Sequence, residues 1–350
     1  MKKKIGICTI TSFNYGNRLQ NYALQTTLEK LGFDAYTVPP KSRPLFLKKL
    51  IPAVNILRRK NAAWNRFSFL INWASFTVGT EHSSKAEKFD YFIAGSDQIW
   101  NPNFPFVSDK YFLSFVSYEK RISYAASIGI SELTEEQKRI FAPRFNMIKS
   151  LSVREKSAVK IIEDCTGRTA QKVLDPTMLL TANEWKKIAE KSSQKCPEKF
   201  IFVYFLGKKS ERVIEYIESL KASTGAEVVE ICNLNNKIDP VNGPLEFVNY
   251  IMNSEFVVTD SFHCCVFSVL FHRQFVAFDR NSYEKNGNMS SRLIDLFSEL
   301  NLGKRLVTAD GEIPTEITEK EFSNADRILV EKRKSSLDFL KTALEIKENT

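Results

Sequence analysis

The residues best suited to chemistry sit in the run EFVVTDSFHCCVFSVLF, residues 255–271. An apolar strand pattern ends at Asp260 and Ser261, and a helix is expected to start there with His263 in its first turn. A helix N terminus presents N–H groups and a positive dipole end, which favour an anion. The same field disfavours protonated imidazole at His263. A neutral imidazole beside an anionic ligand can act as general acid or base, worth about 10²–10⁴ in rate. Spacing alone leaves a capping or packing role for His263 open. Cys264 and Cys265 come next, and although a thiol at a helix start can be activated, packing as small hydrophobes is expected. His272 reads as a solvated residue beyond the helix, and His82 receives no role.

Arginines form the second group. Arg154, in SLSVRE, leaves a short strand, where a guanidinium can hold a carboxylate or phosphate with two parallel hydrogen bonds. An ion pair with Glu155 or another neighbour is the competing reading. Arg292, in NMSSRL, opens an amphipathic helix and is either a second anion clamp or a surface charge. Ser96, Asp97 and Gln98 come after the strand of DYFIAGSD and either bind sugar hydroxyls or cap the next helix. Arg18, beside the first loop, is a weaker candidate. The chain has no D-x-D, no C-x-x-C among its six cysteines, and three histidines, so no metal site is expected.

These side chains need rigid elements to aim them. Strands are expected at Ile5–Ile10, Phe33–Val38, Tyr91–Ala94, Ile122–Ala126 and Leu151–Val153, and each of the last three runs into a small or polar residue. In open α/β sheets such exits line the binding crevice. Between the first two strands, Leu24, Leu28 and Leu31 mark a helix, with Gly32 as its C′ residue. A second set lies at Phe200–Leu206, Glu227–Cys232, Phe256–Thr259 and Phe275–Phe278, and a long amphipathic helix from Phe322 to Ile346 closes the chain behind a capping box at Thr318 and Glu321. No G-x-G-x-x-G is present, so the dinucleotide fingerprint is missing.

A chain of 350 residues exceeds what one core sustains, so two domains are expected, residues 1–170 and 171–350. Ordinary apolar and charged content excludes disorder. No apolar run is long enough to span a bilayer, and the basic start reads as a first strand, not an export signal. A cytoplasmic setting with reduced thiols is the resulting expectation. Eight of the nine net positive charges fall between Asp34 and Glu81, where no acidic residue occurs. This basic insertion, residues 41–80, carries Trp64, Phe67, Phe69, Leu70 and Trp73. It is either a helical segment packed on the first domain or a surface resting on anionic lipid at the inner face of the membrane. No nucleic-acid-binding module surrounds it.

The stretches NYGNRLQNYALQ, FDYFIAGSDQIWNP, SYAASIG, LSVRE, VLDPT, TDSFH and SSRLIDLFSELNL, in that order, resemble the polysaccharide pyruvyl transferase family from residue 14 to residue 302. After TDSFH the family usually continues with Gly and a small hydroxyl residue, whereas Cys264 and Cys265 stand here. The resemblance implies an α/β, GT-B-like fold of two Rossmann-like domains facing each other across a crevice, with a long C-terminal helix. It implies transfer of the enolpyruvyl carbons of phosphoenolpyruvate, a co-substrate and not a bound cofactor, onto two hydroxyls of a sugar as a cyclic ketal. His263 would be the acid/base group, and Arg154, Ser261, His263 and Arg292 would hold the donor, with Arg280 and Lys285 as outer candidates. Asn14, Asn17, Ser96, Asp97 and Gln98 would face the acceptor, a sugar or lipid-linked oligosaccharide. Two rivals share these features: a GT-B glycosyltransferase using a nucleotide sugar, and a non-catalytic partner in polysaccharide assembly, for which Cys264 and Cys265 are the argument.

Overall fold

The computed structural model describes residues 2–39, 62–79, 84–105, 107–231, 241–280 and 291–346. In chain order the elements are β1 (Lys4–Cys8), α1 (Tyr15–Lys30), β2 (Asp34–Thr37), α2 (Ala62–Ser68), β3 (Tyr91–Asp97), β4 (Arg121–Ala126), α3 (Glu135–Asn146), β5 (Ser152–Val153), α4 (Lys156–Thr166) and β6 (Gln171–Lys172). Then come α5 (Ala182–Ala189), β7 (Phe200–Tyr204), α6 (Glu211–Thr224), β8 (Glu227–Glu230), α7 (Pro244–Asn253), β9 (Phe256–Thr259), α8 (Phe262–Leu270), β10 (Gln274–Phe278), α9 (Ser291–Glu299), β11 (Leu306–Val307) and α10 (Glu319–Ala343).

Local chemistry explains the first βαβ turn of the chain. Asn14 caps α1 by accepting from the N–H of Asn17, and Leu19, Ala23, Leu24 and Leu28 bury one face at helical spacing. At the far end the N–H of Gly32 donates to Glu29 and that of Phe33 to Leu28, with Gly32 at φ +94°. This is a Schellman closure, and glycine suits it because a left-handed residue is required. The chain passes straight into β2. The tail helix α10 starts as its sequence implies: Thr318 and Glu321 exchange hydrogen bonds through side chain and backbone.

Every strand pairing among the described residues is parallel. The first sheet has the order β2-β1-β3-β4-β5-β6, and the second β11-β10-β9-β7-β8. Strands β3 and β7 are buried along their whole length, as expected for parallel sheets covered by helices on both faces. In the first sheet the strand order reverses between β1 and β3, and in the second between β7 and β9. The carboxyl ends of strands at such a reversal are where open α/β sheets bind ligands.

The compact units divide differently from the expected break at residue 170. The first unit continues to Leu179 and takes the chain back from Lys332, while the second runs from Leu180 to Glu331 and includes α2 up to Phe67. Physical reasons are visible in each unit. β6 pairs with β5, and Asp175 beyond it is hydrogen-bonded to Ser96, so residues 171–179 complete the first unit. The tail joins that unit through Ser336, which accepts from the N–H of Leu174, and Arg333, which donates to the carbonyl of Met178. In the second unit, Arg66 on α2 is ion-paired at 2.8 Å with the buried Glu246 of α7.

Most of the basic insertion lies outside the described residues. Within the described part, Trp64 and Phe67 are buried, Trp73 is half-buried beside β2, and Phe69 is exposed. No helix among the described residues is long and apolar enough to cross a membrane.

Candidate functional site

In the N-terminal unit, the exits of β1, β3, β4 and β5 are tied together by one buried polar network. The Thr9 hydroxyl donates to the Ser96 carbonyl at 2.9 Å, joining the ends of β1 and β3. Asn17, in the first turn of α1, donates its amide to Asp97 and accepts from the Ser12 hydroxyl. Asp97 itself sits at φ +75°, and its carboxylate also accepts from the N–H of Gln98 at 2.8 Å. A left-handed Asp costs about 1 kcal/mol or more, and such strain gathers at functional sites.

Arg154 lies at the centre of this network. It is almost fully buried, with Nη1 2.7 Å from Asp175 and further nitrogens 3.9 Å from Asp97 and Glu155. Burial alone would lower its pKa, but the carboxylates of Asp175, Asp97 and Glu155 together raise it, so the guanidinium is firmly charged. Each carboxylate also accepts hydrogen bonds from other groups. Asp175 accepts from Ser96 and from the hydroxyl and N–H of Thr177. Glu155 accepts from the Ser127 hydroxyl and the N–H groups of Ile128 and Gly129. Gly129 is at φ +72°, and a Cβ there would overlap the Gln98 amide, so only glycine lets this turn close. Arg154 therefore meets three carboxylates, which is the ion-pair arrangement its sequence left open against an anion clamp.

In the C-terminal unit, the exit of β9 carries Asp260 and Ser261 into α8. Asp260 accepts from the N–H groups of Leu206 and Gly207, just past β7, at 2.7 and 2.8 Å. Arg280, just past β10, donates Nε to the same carboxylate at 2.9 Å. One acidic side chain thus fixes the three strand exits around the reversal of this sheet. Ser261 caps α8 by accepting from the N–H of Cys264, and its own N–H donates to the Thr259 hydroxyl. His263 stands in the first turn, 7% exposed, with its ring edge-on to Phe262 at 5.3 Å.

Cys264 and Cys265 are fully buried, and burial pushes both thiols well above the usual range, so neither is a thiolate at neutral pH. They pack. His272 is half-exposed, stacked on Phe322 at 4.8 Å and 2.9 Å from Asp326.

The structure thus assembles the sequence candidates in two groups. Asn17, Ser96, Asp97, Gln98 and Arg154 share the network of the first unit, with Asn14 capping α1 at its edge. Ser96 is fully buried with its hydroxyl committed to Asp175, which makes it a positioning residue for the loop. Ser261 and His263 share the start of α8 in the second unit. Arg292 is half-buried at the second position of α9, and Lys285 and His82 lie outside the described residues. Sequence reasoning missed the central role of Asp175; the signal was the isolated acid in VLDPT, an Asp before Pro at a turn. It also missed Asp260 as the clamp on β7 and β10, because neither partner is near it in the chain.

Comparison with known proteins separates fold from family. A Listeria monocytogenes protein assigned as a UDP-N-acetylglucosamine 2-epimerase superposes with a TM-score of 0.52 at 14% identity, covering 100% of this chain and 98% of its own. S. aureus MnaA, in a co-structure with UDP, gives 0.54 at 12% identity, covering 99% and 98%. UDP-GlcNAc 2-epimerase from Methanocaldococcus jannaschii gives 0.50 at 12% identity, covering 94% and 93%. At these identities the likeness establishes the GT-B-like α/β fold. No curated protein matches the chain significantly. The sequence profile described as polysaccharide pyruvyl transferase, however, matches residues 14–282, from the cap of α1 to beyond Arg280. A match over that much of the sequence, including both strand exits described above, means that the chain belongs to the polysaccharide pyruvyl transferase family.

Proposed function

We propose that this protein transfers the enolpyruvyl carbons of phosphoenolpyruvate to two hydroxyls of a sugar, forming a cyclic ketal during bacterial capsule or exopolysaccharide synthesis. The observation that carries the reading is His263: a buried imidazole in the first turn of α8, at the reversal of the second sheet, inside the matched span. His263 delivers a proton to C3 of phosphoenolpyruvate, and the positive charge that develops at C2 is captured by the first sugar hydroxyl. Inorganic phosphate departs from C2 with its bonding electrons, the second hydroxyl closes the ring, and the two hydroxyl protons leave with phosphate and return to the imidazole. Ser261 and the first-turn N–H groups of α8 suit the donor's negative charge. Arg154 keeps Asp97 and Asp175 in place, so its contribution is to hold Asn17 at the start of α1 and Gln98 after β3, two of the residues assigned to the acceptor. Arg292 remains a candidate donor contact. The acceptor is a sugar, free or lipid-linked, and no cofactor is invoked.

The test is incubation with phosphoenolpyruvate and a model hexoside. Phosphate release with a pyruvyl mass gain on the sugar supports the reading, and His263→Ala should lower the rate by about 10²–10⁴ while the fold persists. The UDP held by the similarly folded S. aureus protein favours one alternative, a nucleotide-sugar transferase. Release of a nucleotide, with no phosphate from phosphoenolpyruvate, would establish that alternative instead.

A further inference from the structure

Arg18 is a buried cation that the ketal chemistry leaves unused. It lies in the first turn of α1 and is 8% exposed. Its Nε donates to the Ser12 carbonyl at 3.1 Å, and its guanidinium stands 5.8 Å from the ring of Phe13 and 5.6 Å from that of Trp73. The terminal nitrogen Nη1 is buried without a hydrogen-bond partner among the described residues. No carboxylate among the described residues pairs with Arg18, and the 46 positions between Asp34 and Glu81 contain none to reach it from the basic insertion. Burial lowers its pKa to about 10, which still leaves the side chain charged at neutral pH. A buried donor of this kind calls for a partner that the described residues do not supply.

Its place in the fold is a second, independent observation. The first turn of the 16-residue α1 opens at the reversal between β1 and β3, where first-turn amides and the helix dipole favour a negative charge. The two aromatic rings hold the guanidinium plane, and Phe13, 44% exposed, is the accessible one of the pair. Arg154, the other buried arginine at these exits, is surrounded by three carboxylates that would repel an anion. We propose that the N-terminal unit has an oxyanion site of its own, in which Arg18 and the first turn of α1 hold a phosphate or diphosphate group. Such a group can arrive on phosphoenolpyruvate or on a sugar carried by a diphosphate. Only the choice between these two sources rests on the pyruvyl-transfer reading.

The full-length protein should be titrated calorimetrically with inorganic pyrophosphate, phosphoenolpyruvate and a glycosyl diphosphate lacking a nucleoside. Arg18→Gln should weaken pyrophosphate binding at least tenfold, and Arg18→Lys should recover part of it. The physiological source is whichever of the other two ligands weakens in parallel. Unchanged pyrophosphate affinity in Arg18→Gln, or no binding to the wild type, overturns the site. If the variants do not fold, hydrogen–deuterium exchange of the wild type decides. Pyrophosphate should slow exchange in residues 9–25, and no change there overturns the proposal. Arg18-dependent pyrophosphate binding in a protein that makes no ketal leaves this site standing while the pyruvyl-transfer reading falls.

Discussion

Replacing Arg154 by Met removes the cation shared by Asp97, Glu155 and Asp175 while keeping most of the side-chain volume. The pair with Asp175 is at 2.7 Å, and the two side chains are 3% and 0% exposed, so solvent screens it little. Breaking a buried pair by removing one partner costs about 3–5 kcal/mol, because the remaining charge is left uncompensated. Here several carboxylates lose the same cation, which places the cost toward the upper end. For a domain of this size each kcal/mol moves the melting temperature by about 2–4 °C, so a fall on the order of 10 °C is expected for the unit that carries Arg154. The assay is thermal unfolding followed by far-UV circular dichroism, with Arg154→Lys beside it. Lysine keeps the charge but reaches one carboxylate at a time, and an intermediate loss is expected. Phosphoenolpyruvate turnover measured well below the transition completes the test. A variant that melts within about 2 °C of the wild type yet has lost donor binding would refute this reasoning. It would show that the guanidinium serves a ligand, not the loop.

Other outcomes rest on particular residues. Gly129→Ala should destabilise by at least about 1–2 kcal/mol in urea unfolding, because it forces a left-handed alanine and drives a methyl group into Gln98. Alkaline stability should fall between about pH 9 and 12. Burial raises the Cys8 thiol from an ordinary 9.0 to about 12, so above pH 9 the unfolded chain has lost a proton that the folded chain retains, and stability declines as pH rises. Melting temperatures from pH 8 to 11 should drop less steeply in Cys8→Ala. Iodoacetamide at pH 8 should label Cys165 and Cys196, which are half-buried, well before Cys8, Cys264 and Cys265, which are buried. Peptide mapping by mass spectrometry reads the order, and early labelling at Cys264 would restore the case for a reactive thiol there.

Much of the framework was legible because parallel strands buried on both faces leave near-continuous apolar runs. Phe256–Thr259 was found to the residue, and most other strands to within one or two positions at each end. The two-residue strands β5 and β6 mark the limit. β5 was found through the apolar run leading to it, while Gln171–Lys172 has no apolar signal and is a strand only because β5 lies beside it. The compact units part at Leu179 and not at residue 170 for a related reason. Residues 171–179 look like a linker, yet Asp175 bonds to Arg154 and Ser96, 21 and 79 positions away.

The candidate sites divide along the same line. That His263 opens a helix after a strand is a local fact, and local patterns expressed it. Whether a guanidinium at a strand exit is open or occupied depends on which strand exits are neighbours, and strand order is not local. Arg154 and Arg18 illustrate the difference. In sequence Arg154 had the better claim to an anion, since it leaves a strand directly, while Arg18 was one basic residue beside a loop. Once β4 and β5 are adjacent, with Asp175 folded back from β6, Arg154 acquires three acidic neighbours. Once β1 lies between β2 and β3, Arg18 is enclosed by Phe13 and Trp73, with no acid paired to it among the described residues. Coulombic accounting over the folded neighbours therefore exchanges the order of the two arginines. An anion drawn to this unit should depend on Arg18 for its affinity, and on Arg154 only through the integrity of the loop.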